Sequence, residues 1–347
     1  MTRAERVSDA GPRLRAGIVG YGDAGRGIHA RLLRAAGHTV SAVVTRSAER
    51  AALARSDWPG VQVHDDVAGL LAASTTVDVL VVASPSGLHV EHVLAAVAAG
   101  VPVVVDKPLA LDAAGAARAV EAAAGAGVPL TVFQNRRWDP EQLTLAGLLA
   151  DDALGTVHRF ERRWERWRPV PKDRWKENAV GAGGGLLLDL GAHLVDSAVQ
   201  LFGPVSSVYA ELRAITTPTE DDVFLALTHA SGVTSHLWAG GLVGAPGPRT
   251  RVLGDRAAYL VTRFEGEATP FAGMDPGPGH EGWLVRGAEA VPVPRVPGGH
   301  EDYYRLVGRW LAGEGPAPVD PRDAVATAAV LDAARRSAVD RQVAGVG

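Results

Sequence analysis

Three side chains in this sequence have the types and surroundings that proton transfer requires: Lys107, Asp189 and His193. Lys107 follows the apolar run 103–105, so an ammonium group is expected at the end of a buried strand. Asp189 and His193 are four residues apart and would share one face of a helix. A histidine exchanges protons near neutral pH, and a carboxylate can orient its ring. This chemistry suits oxidation of an alcohol, in which a proton and a hydride leave together.

Each of these residues also has a simpler interpretation. Lys107 can be a solvated strand end, and the Asp189–His193 pair can do no more than stabilise its helix by roughly 0.2–0.5 kcal/mol. A metal site is not expected, because no third ligand occurs at a recognisable spacing from the pair.

A glycine-rich turn lies between a predicted strand, 14–19, and a predicted helix, 26–36. Gly20 would permit the tight turn, Gly22 would let a pyrophosphate approach the backbone, and Gly25 would let helix and strand pack closely. The alternative is an ordinary strand-to-helix connection. The context favours a dinucleotide site formed by Gly20, Tyr21, Gly22, Asp23, Ala24 and Gly25.

The end of the second predicted strand carries no carboxylate that could bind a ribose hydroxyl. Guanidinium groups and hydroxyls there suit a phosphate monoester and favour NADP over NAD, although Arg46 can instead cap a helix. After a later strand, Ser84 and Pro85 can line the nicotinamide side, whereas His89 can equally pack against the sheet. The remaining predicted cofactor contacts are Thr45, Arg46, Ser47, Arg50, His89, Asp106, Lys107 and Arg136.

Short apolar runs alternate with alanine-rich helical stretches up to about residue 133, which predicts a doubly wound parallel sheet, a Rossmann domain over 14–133. Strands with alternating polarity follow, which predicts a second domain over 134–347 with an antiparallel sheet. A helix over 183–201, a closing helix over 319–343 that starts at Asp320-Pro321, and a long loop over 266–299 are expected there. The predicted strands are 15–19, 39–44, 77–83, 101–105, 130–133, 157–167, 205–213, 223–228 and 233–239.

Length, net charge and composition exclude several classes of protein. A chain of 347 residues exceeds the roughly 250–300 that one core supports, which agrees with two domains. A net charge of −4 without a basic stripe argues against nucleic acid, and no apolar run is long enough to span a membrane. The absence of cysteine excludes thiol chemistry. Residues 1–13 are expected to be a flexible extension without an export signal, which favours the cytoplasm.

The glycine turn, Asp106-Lys107-Pro108 and the Asp189–His193 pair, in that order, resemble the glucose-fructose oxidoreductase and inositol dehydrogenase family, Gfo/Idh/MocA. The resemblance implies a Rossmann domain followed by a domain with a large, mostly antiparallel sheet, so that 134–347 would be the substrate-binding and oligomerisation domain of a homodimer or homotetramer. It also implies that Lys107 is catalytic, with Asp106 replacing the family's glutamate, and that Asp189 and His193 orient substrate and transfer a proton.

Segments 132–139, 166–169, 174–177 and 189–196 are similar to the NADP-dependent scyllo-inositol dehydrogenase branch of that family, while 139–142 and 264–282 depart from it. Guanidinium groups and aromatic faces suit a polyhydroxylated ring, although Trp164, Trp167 and Trp175 can instead fill a domain interface. The resemblance implies substrate contacts from Lys107, Arg137, Trp138, Arg166, Trp175, Asp189 and His193.

The sequence therefore predicts hydride transfer between NADP and a secondary alcohol of a cyclic polyol or sugar. A specialised sugar, an aminocyclitol or a sugar nucleotide stays open as the substrate, because loop contacts set specificity. A non-catalytic dinucleotide sensor is a further alternative, but the presence of Lys107, Asp189 and His193 together argues against it.

Overall fold

The computed structural model describes residues 12–73, 77–263 and 265–347, and its backbone separates into two compact units. The first unit contains the chain up to Asn135 together with Gly299–Val325, and the second contains Arg136–Gly298 together with Ala326–Gly347. The extension expected over 1–13 lies outside the described residues, apart from Pro12 and Arg13.

The assignment of segment 299–325 differs from the division made from sequence, which placed it in the second domain. In the structure this segment belongs to the first unit. Tyr303, Tyr304 and Val307 are fully buried there, and both tyrosine rings pack against Phe133. The division made from sequence followed chain order. The segment belongs to the first unit because its aromatic side chains are buried in that unit's core.

The described part of the chain forms fifteen strands, which we number in chain order. They are β1 Arg15–Val19, β2 Thr39–Val44, β3 Gln62–His64, β4 Val79–Val82, β5 Val103–Asp106, β6 Leu130–Phe133, β7 Val157–Glu165, β8 Val205–Arg213, β9 Asp222–His229, β10 Thr234–Gly240, β11 Thr250–Gly254, β12 Ala258–Val261, β13 His280–Arg286, β14 Glu289–Pro294 and β15 Ala344–Gly345.

Ten α-helices occur in the same described ranges. They are α1 Arg31–Ala35, α2 Ala48–Asp57, α3 Val67–Ala72, α4 His89–Ala98, α5 Ala113–Ala126, α6 Pro140–Ala150, α7 Trp175–Asn178, α8 Ala192–Phe202, α9 Glu301–Leu311 and α10 Pro321–Asp340. Two of them, α1 and α8, continue from π-helical turns at Gly25–Ala30 and Leu187–Gly191. None of the described helices has both the length and the apolar character needed to cross a membrane.

The first unit contains a six-stranded sheet in the order β3-β2-β1-β4-β5-β6, with every pair parallel. The strand order reverses between β1 and β4, as in a doubly wound sheet, so the predicted fold class is confirmed. Strands β4 and β6 are buried along their whole length, because helices cover both faces of such a sheet. The three residues of β3 were not predicted, since so short a segment shows no periodicity.

The second unit contains a nine-stranded sheet in the order β14-β13-β12-β11-β7-β10-β9-β8-β15. Its neighbouring strands are antiparallel except for the parallel pair β7 and β10, which confirms the expected mostly antiparallel sheet. The loop predicted over 266–299 is wrong, because β13 and β14 form an antiparallel pair there. Prolines hid β14 from the sequence pattern, and an edge strand tolerates them.

The closing helix begins where the sequence predicts. α10 starts at Pro321, and the Asp320 side chain accepts a hydrogen bond from the backbone N–H of Arg322 at 2.9 Å. An acceptor just before a proline at the first helical position satisfies a donor that has no partner within the helix.

Candidate active site

The glycine turn after β1 is compact because its backbone passes close to other backbone atoms at two of its glycines, Gly20 and Gly25. A Cβ added to Gly25 would lie 1.8 Å from the carbonyl oxygen of Gly20, and one added to Gly20, whose φ is +88°, would lie 2.8 Å from that of Ala83. At Gly22 the closest neighbour of an added Cβ is the Arg50 guanidinium, at 3.7 Å. The nearest atoms to Gly22 are thus those of an exposed, flexible side chain, and the turn fits the pyrophosphate of a dinucleotide.

The two other side chains of the turn differ in their surroundings. Tyr21 is 1% exposed, and its hydroxyl donates a hydrogen bond to Asp57 Oδ2 at 3.0 Å. Burial, together with Asp57, raises the pKa of Tyr21 to about 12. Tyr21 thus offers a cofactor its main chain only, because its ring belongs to the core, whereas Asp23 is exposed.

The segment after β2 presents two exposed guanidinium groups, those of Arg46 and Arg50. Ser47 is the N-cap of α2, and its Oγ accepts a hydrogen bond from the Arg50 N–H at 3.3 Å. Thr45 Oγ1 accepts a hydrogen bond from the Ser47 N–H at 3.3 Å. The helix cap considered for Arg46 is therefore provided by Ser47, and the Arg46 side chain extends from the loop.

The segment after β4 is held by histidines. His89 is 1% exposed, and its ring nitrogens lie 2.8 Å from the carbonyl oxygens of Ser84 and Pro108. Ser84 Oγ lies 3.0 Å from His92 Nδ1, and Pro85 is exposed. Burial lowers the pKa of His89. The His89 ring therefore ties two strand ends together, which is the structural alternative considered from sequence.

Lys107 follows β5, half-buried, and precedes a cis peptide bond to Pro108. Its backbone N–H donates a hydrogen bond to Asp106 Oδ1 at 2.8 Å. Asp106 Oδ2 lies 3.6 Å from His29 Nε2. Burial alone would raise the pKa of Asp106, but the His29 ring and the Lys107 ammonium outweigh it and lower the pKa to about 2. A carboxylate is thus held next to Lys107.

The first unit brings its predicted site residues to one edge of its sheet. The glycine turn, Thr45, Ser84 and Lys107 follow β1, β2, β4 and β5, and these four strands are neighbours in the order β2-β1-β4-β5. Ligands of open parallel sheets bind at such carboxyl ends, beside the point where the strand order reverses.

In the second unit, Asp189 lies in the π-helical turn Leu187–Gly191 and His193 in the first turn of α8. π-helical turns within helices occur frequently at functional sites. Just before this turn, the backbone of Gly185 lies close to Glu220. A Cβ on Gly185, whose φ is +93°, would lie 2.1 Å from the Glu220 carboxylate. That carboxylate accepts a hydrogen bond from the Leu187 N–H at 3.2 Å.

The Asp189 carboxylate forms an ion pair that the sequence did not predict. Lys176 Nζ, on α7, donates to Asp189 Oδ1 at 2.5 Å. Lys176 lies in a segment singled out for its tryptophan, and the neighbouring Trp175 is 44% exposed. No sequence signal identified Lys176, because the partner of a surface lysine depends on the folded loop.

His193 is 8% exposed and stacks on Trp164, with 5.9 Å between ring centroids and an interplanar angle of 30°. The guanidinium carbons of Arg136, Arg249 and Arg166 lie 4.8, 5.1 and 5.4 Å from the Trp164 ring centroid. Stacked cations of this kind stabilise an indole ring. Trp164 is therefore part of the His193 environment, a role that its alternation along β7 could have suggested.

A small cavity adjoins His193 and Trp164 and is lined on its inner side by a buried ionic cluster. Glu141 is the carboxylate of this cluster, with Arg249 Nε at 3.0 Å and Arg162 Nε at 3.5 Å. Burial would raise the pKa of Glu141, but the two arginines lower it to about 2. Sequence reasoning assigned no role to these three residues.

Several residues predicted to contact ligands also make ion pairs within the protein. Arg137 donates to both carboxylate oxygens of Asp196, at 2.9 and 2.6 Å, in a mostly buried pair that fixes segment 135–138 to α8. Arg136 pairs with Asp139 at 3.2 Å and with Glu265. Arg166 pairs with Glu267 at 2.6 Å, and Trp138 is half-buried. The Asp196 pair therefore fixes the orientation of the Arg137 guanidinium.

A Rossmann-type sheet that carries a glycine turn, together with a second unit built on a mixed sheet, defines a two-unit protein whose first unit suits a dinucleotide. Residues 14–134 match the model of the oxidoreductase family with an NAD-binding Rossmann fold, and residues 143–260 match that of the GFO/IDH/MocA C-terminal domain. The chain belongs to the Gfo/Idh/MocA family of oxidoreductases, as its sequence motifs indicate.

Similar proteins span nearly the whole chain. YdgJ, an uncharacterized oxidoreductase of Escherichia coli, is 33% identical over 94% of this chain and 97% of its own length. The Bacillus subtilis protein named scyllo-inositol 2-dehydrogenase (NADP(+)) IolW is 28% identical and covers 95% of each chain. The structure of yvaA from Bacillus subtilis has a TM-score of 0.85 and 27% identity, and the match covers 97% of this chain and 99% of that one.

Proposed function

We propose that this oxidoreductase transfers hydride between NADP(H) and a secondary alcohol or ketone of a cyclic polyol, such as scyllo-inositol and its inosose. The observation that carries the proposal is the position of Lys107, which follows β5 at the same edge of the sheet as the glycine turn. A lysine at that edge is close to where a dinucleotide bound by the turn would present its reactive ring.

Separate parts of the first unit would hold the cofactor. The backbone of the Gly20–Gly25 turn suits the pyrophosphate, and Arg46 and Arg50, with the hydroxyls of Thr45 and Ser47, suit a ribose 2'-phosphate. Bound NADP(H) would supply the hydride acceptor or donor. The similarity to IolW, whose name specifies NADP(+), supports this choice over NAD.

The acid-base groups come from this chain. The Lys107 ammonium would donate a hydrogen bond to the reacting oxygen, and His193 would exchange the hydroxyl proton. Asp189 and Lys176, as an ion pair, offer an acceptor and a donor to the hydroxyls of a polyol. An uncharged ring with many hydroxyls satisfies both without leaving an unpaired charge.

The test is a panel of inositols, inososes, aldoses, ketoses and sugar nucleotides at equal concentration, read as the near-ultraviolet absorbance of NADPH. We expect the fastest turnover with scyllo-inosose and NADPH, and about 10,000-fold lower specificity for deoxy analogues, which leave the site's polar groups unpaired. A sugar nucleotide or open-chain sugar that exceeds every cyclitol would contradict the substrate class. Tight NADPH binding without turnover of any substrate would instead indicate a sensor.

A further inference from the structure

Two fully buried side chains, His29 and Tyr304, lie directly behind Asp106. His29 is in the π-helical turn Gly25–Ala30, and Tyr304 is on α9, in the segment that returns to the first unit. The Tyr304 hydroxyl lies 2.6 Å from His29 Nδ1, and His29 Nε2 lies 3.6 Å from Asp106 Oδ2. A line of polar groups thus runs from α9 to the residue that precedes Lys107.

The position of the proton on each group determines which atom donates and which accepts along this line of polar groups. Burial raises the pKa of Tyr304, so its phenol stays protonated. Its O–H can therefore donate a hydrogen bond to His29 Nδ1. Nε2 then carries the ring proton, because a lone pair there would face the Asp106 carboxylate. Asp106 in turn accepts a hydrogen bond from the Lys107 N–H at 2.8 Å through its other oxygen.

His29 and Tyr304 are both held in place by further contacts. The His29 ring packs on Phe133, with 4.5 Å between ring centroids. The Tyr304 carbonyl oxygen accepts a hydrogen bond from His38 Nε2 at 2.9 Å, and His38 Nδ1 accepts one from the Leu14 N–H at 3.2 Å. The histidine ring therefore has little freedom to turn away from Asp106.

We infer that Tyr304 and His29 are positioning residues for Lys107. They hold the Asp106 carboxylate in one orientation, and Asp106 holds the Lys107 backbone and provides its ammonium with a nearby counter-charge. This role rests on the proposed function of Lys107 as the group that acts on the reacting oxygen.

The chain offers a matched pair of variants, Tyr304→Phe and Tyr303→Phe. Both tyrosines are fully buried on α9 and pack against Phe133, but the Tyr303 hydroxyl lies 3.5 Å from Thr131 Oγ1 instead of at His29. We expect Tyr304→Phe to lower kcat by about 10-fold with KM and NADPH affinity unchanged, since small misplacements of a reacting group cost that much or more. Tyr303→Phe should lose a similar amount of thermal stability while keeping kcat.

A double variant separates positioning from general damage. In an Asp106→Asn background, Tyr304→Phe should have little further effect on kcat, because residues that act as one unit are not additive. Equal kcat values for Tyr304→Phe and Tyr303→Phe would overturn the inference, and so would effects of Tyr304→Phe and Asp106→Asn that multiply.

A measurement without substrate distinguishes failure of this inference from failure of the proposed function. In protein labelled with ¹⁵N-histidine, long-range NMR correlations should show a proton on His29 Nε2, with the signal assigned by its loss in His29→Gln. An unprotonated Nε2 would overturn the inference even if Tyr304→Phe does not fold. If the wild type turns over no substrate, the proposed function fails, while the Nε2 result still decides whether His29 presents an N–H to Asp106.

Discussion

At the scale of single residues, Lys107 has the clearest expected phenotype. Lys107→Met should keep NADPH binding and lose roughly 100- to 10,000-fold in turnover, because we propose that the ammonium acts on the reacting oxygen and not on the phosphates. Lys172→Met, which removes the same charge from an exposed loop, is the control and should be active. Steady-state kinetics with NADPH fluorescence titration measures both. A Lys107→Met variant that keeps more than about a tenth of the activity would make Lys107 structural.

Arg46 is expected to distinguish NADPH from NADH. Arg46→Ala should weaken NADPH binding by about 1.5–3 kcal/mol and leave NADH binding unchanged, because only NADPH carries a 2'-phosphate that pairs with a guanidinium. Arg55→Ala, an exposed arginine in the last turn of helix α2, which follows Arg46 in the chain, is the control. Fluorescence titration of both cofactors gives the result, and the assignment fails if NADPH affinity does not change in Arg46→Ala.

His193 is expected to exchange the substrate proton. His193→Ala should remove one limb of the pH–rate profile, whereas Asp189→Asn should mainly raise KM, because Asp189 is paired with Lys176 and offers an acceptor to hydroxyls. Kinetics over a range of pH with one substrate distinguishes the two. Identical profiles for the wild type and His193→Ala would exclude His193 from proton transfer.

At the scale of elements, a single buried carboxylate joins α6 to β7 and to the start of β11. Glu141→Gln should destabilise the protein by about 3–5 kcal/mol, because Arg162 and Arg249 would be left in the core without their anion. Urea unfolding at neutral pH measures this loss. Glu289→Gln, at an exposed position of the edge strand β14, should unfold like the wild type. If Glu141→Gln unfolds at the same urea concentration as the wild type, the ionic cluster makes no net contribution to stability.

The same carboxylate should contribute to acid unfolding. The folded-state pKa of Glu141 is about 2, below its ordinary value of 4.5. Its ionisation therefore adds stability above about pH 4.5, and that stability is lost as the pH falls toward 2. The stability difference between wild type and Glu141→Gln should shrink over this window.

At the scale of the whole molecule, the first unit is expected to need two separate segments of the chain. Residues 1–135 alone should not fold or bind NADPH, because Tyr303, Tyr304 and Val307 would leave large cavities in the core. Joining 299–325 through a short glycine-serine linker should restore both properties. The linker can be short, since Asn135 Nδ2 lies 3.1 Å from His300 Nδ1. Circular dichroism and NADPH titration compare the two proteins, and a folded 1–135 segment would contradict the assignment.

Local sequence determined the Rossmann sheet, the glycine turn and the start of α10. Each depends on a backbone requirement that few residue types meet, such as the positive φ of Gly20 or a proline at the first helical position. The spacing of Asp189 and His193 could likewise be read directly, because it reflects helical geometry. The prolines of β14 broke the strand pattern, so its pairing at the sheet edge was missed.

Only the tertiary structure decided which partner each charged or polar side chain has. Tyr304 meets His29 across 275 residues of sequence, Arg137 pairs with Asp196, and Lys176 with Asp189. Local patterns place a side chain on an element, but its partner depends on how distant elements pack, and a long flexible side chain reaches several candidates. For the same reason, the sequence did not show that 299–325 belongs to the first unit. The tyrosines of this segment are buried in a core formed by residues far away in the chain.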